Sequence, residues 1–314
     1  MRFGLSGVGR LRVGMLASTA SLLLVLAAGC GVGAGAPAGG TILAVGAENE
    51  YANVIQQVGG RYVSVVSFMS NPSTDPHVYE ASTRDAIDVA KASLIVQNGL
   101  GYDSFMNRLE AASPNNQRIV LTVANAFGLP ASTENPHLWY KPGTMARLSI
   151  IIARDLGRLD PSHRTYFARR AAAFRASLNS WAQAIKVLKK KFGGKSVAVT
   201  EPVCDYLLQA SGLHISTPWA FQAAVMNGTD ISPQDVAIEE SLLSRRRVRV
   251  LVYNLEAVDP TTTDLLAIAR AHHIPVVGVY EIMPPHYTYP TWMTAETDAV
   301  YRALRDHVST ARLP

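Results

Sequence analysis

Two histidines sixty residues apart each follow a proline, Asp75-Pro76-His77 in the run DPHVYEASTRD and Asn135-Pro136-His137 in NPHLWYKP. Imidazole is the commonest metal ligand among side chains, and it serves best when it is held still. Proline fixes its own backbone dihedral and pushes the preceding residue into an extended conformation, so each imidazole rides on a stiffened turn. The two frames match beyond the dipeptide, since both read Pro-His-x-aromatic. A matched pair of this kind points to joint ligation of a metal by His77 and His137. His163, His214, His272 and His273 lie in no such frame and are expected on the surface or in packing. Tyr79, Trp139, Tyr287 and Trp292 are expected to wall the pocket and exclude water.

The elements that must carry these turns follow from hydrophobic patterning. Short β-branched runs alternate with amphipathic stretches, the signature of βα units and parallel sheets. Strands are predicted over 41–46, 62–68, 94–97 and 119–123 in the first half, and over 196–200, 249–253 and 276–280 in the second. The VLVY and VVGV runs are apolar without alternation, as strands covered on both faces are. Between the halves, Asp160-Pro161 reads as a helix start. Apolar residues then recur in steps of three and four from Phe167 to Leu188, and Lys189 to Lys191 followed by Gly193-Gly194 read as the end. About thirty residues of helix within 160–192 would be about 45 Å long. The predicted fold is therefore α/β: two lobes, 41–159 and 193–314, each a parallel β-sheet flanked by helices, joined by one long rigid helix.

The N-terminus bears on location. Arg2, Arg10 and Arg12 precede an uncharged apolar run from Val13 to Ala28 that ends in LAAGC at Cys30. This is the n-region, h-region and small-residue cleavage site of an export signal over 1–29, and it resembles a lipobox with Cys30 as the lipidated residue. The glycine- and alanine-rich segment 30–40 reads as a flexible tether rather than a phosphate loop, because no strand precedes it. Removing 1–29 takes three arginines and no acids from a chain with 29 basic and 24 acidic residues, so the formal charge falls from +5 to +2. A mature chain that close to neutrality is not built for nucleic acid. With Cys30 given to lipid, Cys204 is the single remaining thiol and no intramolecular disulfide is possible.

Taken together, the two Pro-His motifs, the long helix and the lipobox resemble the metal-binding lipoproteins of zinc and manganese ABC importers, the helical-backbone class of solute-binding proteins. The resemblance spans nearly the whole mature chain. It implies that His77 and His137 are ligands, that Glu201 in TEPVCDYLLQASGL supplies a third, and that Glu281 in VVGVYEIMPPHYTYPTWM stands where the family usually has Asp. His286, five residues on, is a candidate substitute or supporting group. Chain position supports the same four residues, because all are expected at or beyond the C-terminal ends of strands, the edge at which open α/β sheets bind ligands. Two imidazoles and two carboxylates suit a first-row divalent ion, Zn2+ or Mn2+, with Fe2+ also compatible. The segment AFGLPASTENPH lacks the His- and acid-rich loop of many zinc-dedicated members, and Asn135 and Lys141 replace acids common in the family.

The resemblance implies a monomeric lipoprotein on the extracytoplasmic face of a bacterial membrane. It would capture the ion between its lobes and pass it to an importer's permease and ATPase, with no chemistry performed. Because neutral imidazole and ionised carboxylate are the binding forms, affinity is expected to fall as pH drops through the histidine range. A zinc metalloenzyme is the alternative from another class, opposed by the lack of an HExxH helix, and a surface adhesin of the same family is a third.

Overall fold

The structure, a computed structural model, describes residues 41–73 and 76–314. The export signal, Cys30 and the tether lie outside the described residues, as does Asp75 of the first Pro-His motif. The first half contains β1 (Ile42–Glu48), α1 (Asn49–Gly59), β2 (Val63–Met69), α2 (Thr83–Lys91), β3 (Leu94–Gln97), α3 (Ser104–Ala112) and β4 (Ile119–Thr122). Its four strands form a wholly parallel sheet in the order β2-β1-β3-β4. Parallel neighbours need crossovers, and α1, α2 and α3 supply them. β1 and β3 are buried almost throughout, which explains their unbroken apolar runs.

After the short α4 (Val123–Ala126), three helices lead onward: α5 (Thr144–Leu159), α6 (Arg164–Ser177) and α7 (Asn179–Phe192). The second half runs β5 (Ser196–Val199), α8 (Asp205–Ala210), β6 (His214–Ile215), α9 (Trp219–Met226), α10 (Pro233–Ser244), β7 (Leu251–Asn254), α11 (Pro260–Ala271), β8 (Val276–Val279) and α12 (Tyr289–Asp306). Its sheet is also parallel, in the order β6-β5-β7-β8. Relative to chain order the two sheets thus have the same topology. The two-residue β6 is too short for patterning to reveal.

The predicted helix over 160–192 requires correction. Pro161–His163 form a 3-10 turn, and the helix behind it is two helices, α6 and α7, separated at Leu178. Leu178 has φ −77° and ψ −7°, which opens the turn without leaving the helical region. Just before it, Ser177 Oγ donates to the Phe174 carbonyl at 2.6 Å. Side-chain back-bonding of this kind competes with the helical ladder and bends it. Apolar spacing could not register the break, because Phe174, Leu178 and Trp181 keep their helical phase across it and all are buried.

One large apolar cluster includes residues of both sheets and all three connecting helices, among them Val45, Ile95, Leu148, Phe167, Trp181, Val199, Val252 and Trp292. A smaller cluster with Ala198, Phe221, Leu251 and Tyr253 covers the opposite face of the second sheet. Successive strand residues point to opposite faces, so Ala198 joins one cluster while Val197 and Val199 join the other.

The outer edge of β8 is closed by the C-terminal segment. Gly278 N donates to Thr310 O and Thr310 N to Val276 O, both at 2.9 Å. This approach is open only to glycine, because a Cβ on Gly278 would lie 2.3 Å from Ala311 O and 2.9 Å from Leu255 Cδ1. Gly278→Ala is therefore expected to destabilise the fold by about 1–3 kcal/mol through overpacking, read as an earlier midpoint in urea. An unchanged midpoint would show that the C-terminal segment yields freely.

Candidate metal centre

Each sequence-predicted residue lies at the C-terminal edge of a sheet. His77 sits on a 3-10 turn, Pro76–Val78, beyond β2, and His137 immediately precedes a second such turn, Leu138–Tyr140, beyond β4. Glu201 lies two residues past β5 and Glu281 two residues past β8. The four converge. One nitrogen or oxygen from each lies within 4.8 Å of every other. His77 Nε2 is 3.4 Å from both Glu201 Oε1 and Glu281 Oε2, and His137 Nε2 is 3.1 Å from Glu281 Oε2. The side chains of His137, Glu201 and Glu281 are fully buried, while that of His77 is 22% exposed. His77 also lines a cavity of about 400 Å³ that reaches it past Leu100, Tyr102, Pro136, Trp219 and Met226.

The supports differ from residue to residue. Asn135 Oδ1 accepts from the His137 backbone N–H at 2.9 Å and lies 2.8 Å from its Nδ1, while Asn135 Nδ2 donates to Pro202 O at 2.7 Å. That second bond fixes the amide orientation, so Nδ1 carries a proton and Nε2 is the nitrogen turned toward the carboxylates. Asn135 therefore does the orienting that an acid would. Lys141, the other departure, lies with its Nζ 5.3 Å from the ring of Tyr206, whose hydroxyl donates to Asn135 O. On the first motif, Tyr79 Oη donates to Asp85 Oδ2 at 2.9 Å, which ties the His77 turn to the capping box of α2.

Glu281 is held from behind and beside. The Glu256 carboxylate accepts the backbone N–H groups of Glu281 and Ile282, and Tyr102 Oη donates to Glu281 Oε2 at 2.9 Å. Asn254 Nδ2 donates to Glu281 Oε1 at 2.7 Å and also to Glu201 Oε2. Tyr102, Asn254 and Glu256 were not singled out from sequence. The signal that could have found them is the same edge rule, since Asn254 is the polar end of an apolar strand and Tyr102 follows β3 in a glycine-flanked loop. His286, by contrast, is exposed and stands outside the four-residue cluster. His163 stacks on Tyr62 and pairs with Asp160, in keeping with a packing role.

The electrostatics favour a cation. Burial alone would lower the His77 pKa, but Glu201 and Glu281 outweigh it and push it up to about 11. Burial would raise Glu281, yet His137 and His77 hold it well below the usual carboxylate range. Glu201 is raised, by burial and then by the charge of Glu281. Deeper acids are neutralised: burial lifts Glu48 and Glu50 well above their ordinary value, and Glu256 up to about 10 with Glu281 adding to it.

A second buried network links the two histidine and glutamate segments. Tyr140 Oη lies 2.7 Å from Tyr280 O and 2.5 Å from Glu296 Oε2. A phenol has one proton. Tyr140 Oη thus divides its one proton between the Tyr280 carbonyl and Glu296 Oε2, and a protonated Glu296 would donate back to the phenol oxygen. The other Glu296 oxygen accepts from Trp292 Nε1 at 2.7 Å and from Tyr280 N at 3.3 Å. Burial pushes Glu296 up to about 8, outweighing the hydrogen bonds from Tyr140, Trp292 and Tyr280, which act the other way.

Fold and site define a two-sheet α/β protein with a cluster of two histidines and two glutamates, all but His77 buried, where the sheet edges meet. Residues 45–303 match the family described as ZnuA, zinc-uptake complex component A, periplasmic, and the chain belongs to that family. It is 26% identical over 176 residues to the manganese-binding lipoprotein MntA of Bacillus subtilis (strain 168), a match covering 54% of this chain and 56% of that protein. The chain thus spans little more than half the length of that relative. It is 23% identical over 221 residues to the metal ABC transporter substrate-binding lipoprotein FimA of Streptococcus parasanguinis, covering 65% and 71%. Among solved structures, the periplasmic zinc binding protein TroA from Treponema pallidum superposes with a TM-score of 0.71 at 17% identity, over 86% of this chain and all of that one. At that identity the likeness is one of fold.

Glu296 has an ordinary pKa of 4.5 and a folded one of about 8. Between those values the unfolded chain has released a proton that the folded chain keeps, so this residue makes stability fall as pH rises, by up to about 1.4 kcal/mol per unit. Glu296→Gln preserves the hydrogen-bond pattern without the titration. Denaturation from pH 5 to 8 is expected to show the variant gaining steadily on the unaltered protein; parallel profiles would mean that Glu296 is ionised in the fold.

Proposed function

We propose that this protein is the extracytoplasmic solute-binding subunit of a metal ABC importer. It captures a divalent transition metal, zinc or manganese, on His77, His137, Glu201 and Glu281 and hands it to the permease, whose ATPase drives uptake. The observation that carries this reading is the convergence of two imidazole nitrogens and two carboxylate oxygens, drawn from four different strand ends, on one buried point. Family membership and the metal-binding names of the relatives support it. Neutral imidazole and ionised carboxylate are the ligand forms. A divalent ion would therefore displace the proton that His77 otherwise keeps up to about pH 11. Lipidation of Cys30 would hold the protein, as a monomer, at the membrane through the 30–40 tether.

Metal titration tests the reading directly. The protein is expected to bind one zinc or manganese ion, with elemental analysis after purification without added metal naming the ion it carries. His77→Ala should abolish binding and His286→Ala should leave it intact. Affinity is expected to rise about tenfold per pH unit for each proton displaced, from pH 5 upward through neutrality. Calorimetry in buffers of differing ionisation enthalpy would report that proton release. Binding equally tight at pH 5 and 7.5, or retained in His77→Ala, would refute the assignment. Cys30→Ala should move the protein from the membrane to the soluble fraction, and retention at the membrane would overturn the lipid anchor.

A further inference from the structure

Asn254, the last residue of β7, is 1% exposed and has all its amide hydrogen-bonding groups engaged. Its Nδ2 carries two hydrogens, one directed to Glu201 Oε2 and the other to Glu281 Oε1. Its Oδ1 accepts from the Glu256 backbone N–H at 3.0 Å, which settles which end of the amide is which, and its own N–H donates to Thr200 Oγ1 at 3.0 Å. The side chain therefore bridges the two glutamates of the cluster from a fixed position.

The consequence lies in the oxygens that remain. Glu201 Oε1 faces His77 Nε2 at 3.4 Å, away from Asn254. Glu281 Oε2 faces both imidazoles, and Tyr102 occupies one of its two lone pairs. One oxygen of each carboxylate thus turns toward the imidazoles, and the other is held by Asn254. Swinging either held oxygen inward would strand a buried amide hydrogen without an acceptor.

We propose that Asn254 is the positioning residue that sets metal preference, by confining Glu201 and Glu281 to one donor oxygen each so that the centre offers four donor atoms and favours zinc over manganese. The inference rests on the metal-carrier reading above. Zinc is satisfied by four nitrogen and oxygen donors in a tetrahedron, whereas manganese is suited by an octahedral, oxygen-rich set. Two carboxylates free to bind through both oxygens would bring the count from four to six. The amide withholds that option.

Two measurements on the intact protein test this. Zinc K-edge absorption of the unaltered, zinc-loaded protein is expected to show four light donors at about 2.0 Å; six donors would overturn the proposal without any variant. Competition of zinc against manganese is then compared between the unaltered protein and Asn254→Ala. The variant's preference for zinc is expected to fall by about 10–100-fold, the usual scale for groups that orient ligands, and its zinc spectrum to gain donors. An unchanged preference with an unchanged spectrum would reduce Asn254 to a packing residue while leaving the carrier reading intact. Failure of the unaltered protein to bind either ion would overturn both.

Discussion

Two carboxylates taken out of water and aimed at one point are the constraint around which this molecule is arranged. The donor atoms of Glu201 and Glu281 lie within 4.8 Å of each other, and two like charges about 4 Å apart repel by about 4 kcal/mol at an effective dielectric of 20. Burial penalises each charge further. Such a pair persists only if positive charge or strong donors compensate it. In the protein alone the compensation comes from the two imidazoles, the Asn254 amide and the Tyr102 hydroxyl, and the imidazoles' share is what a divalent cation would take over. The raised His77 and lowered Glu281 are two views of that one balance.

The fold answers the constraint by geometry. Each sheet has the same strand order, and each presents two of the four donors beyond its strand ends, after β2 and β4 in the first and after β5 and β8 in the second. Side-chain precision at that junction requires the sheets to hold their relation. A single apolar cluster running through both, with Trp181 of α7 donating its indole N–H to Thr297 of α12, provides it. Rigidity thus follows from shared packing, so a one-residue interruption between α6 and α7 is tolerable where a lone connecting rod would have been weakened.

What was legible in the sequence follows the range of the interactions involved. The Pro-His turns were readable because proline acts on its immediate neighbours, and the parallel sheets because buried strands write unbroken apolar runs. Glu201 and Glu281 needed the edge rule and the family resemblance together, since a lone glutamate after a strand has many uses. Asn254, Tyr102 and Glu256 were out of reach because their roles exist only through partners 53, 179 and 25 residues away. The break at Leu178 stayed hidden for a different reason: Phe174, Leu178 and Trp181 keep their helical phase across it, so hydrophobic spacing does not record it.

Charge restraint around the centre completes the argument. Besides the two cluster glutamates, Glu48, Glu50, Glu256 and Glu296 are buried close behind it, and burial holds all four toward the neutral form. Were they ionised, several negative charges would face one divalent ion in a medium that screens poorly, and the fold would carry their repulsion whenever the ion was absent. Two of them serve as hydrogen-bonding groups instead: Glu256 accepts the Glu281 and Ile282 backbone, and Glu296 joins Tyr140 to Tyr280. The charge available to a cation is thereby limited to two carboxylates, enough to neutralise it.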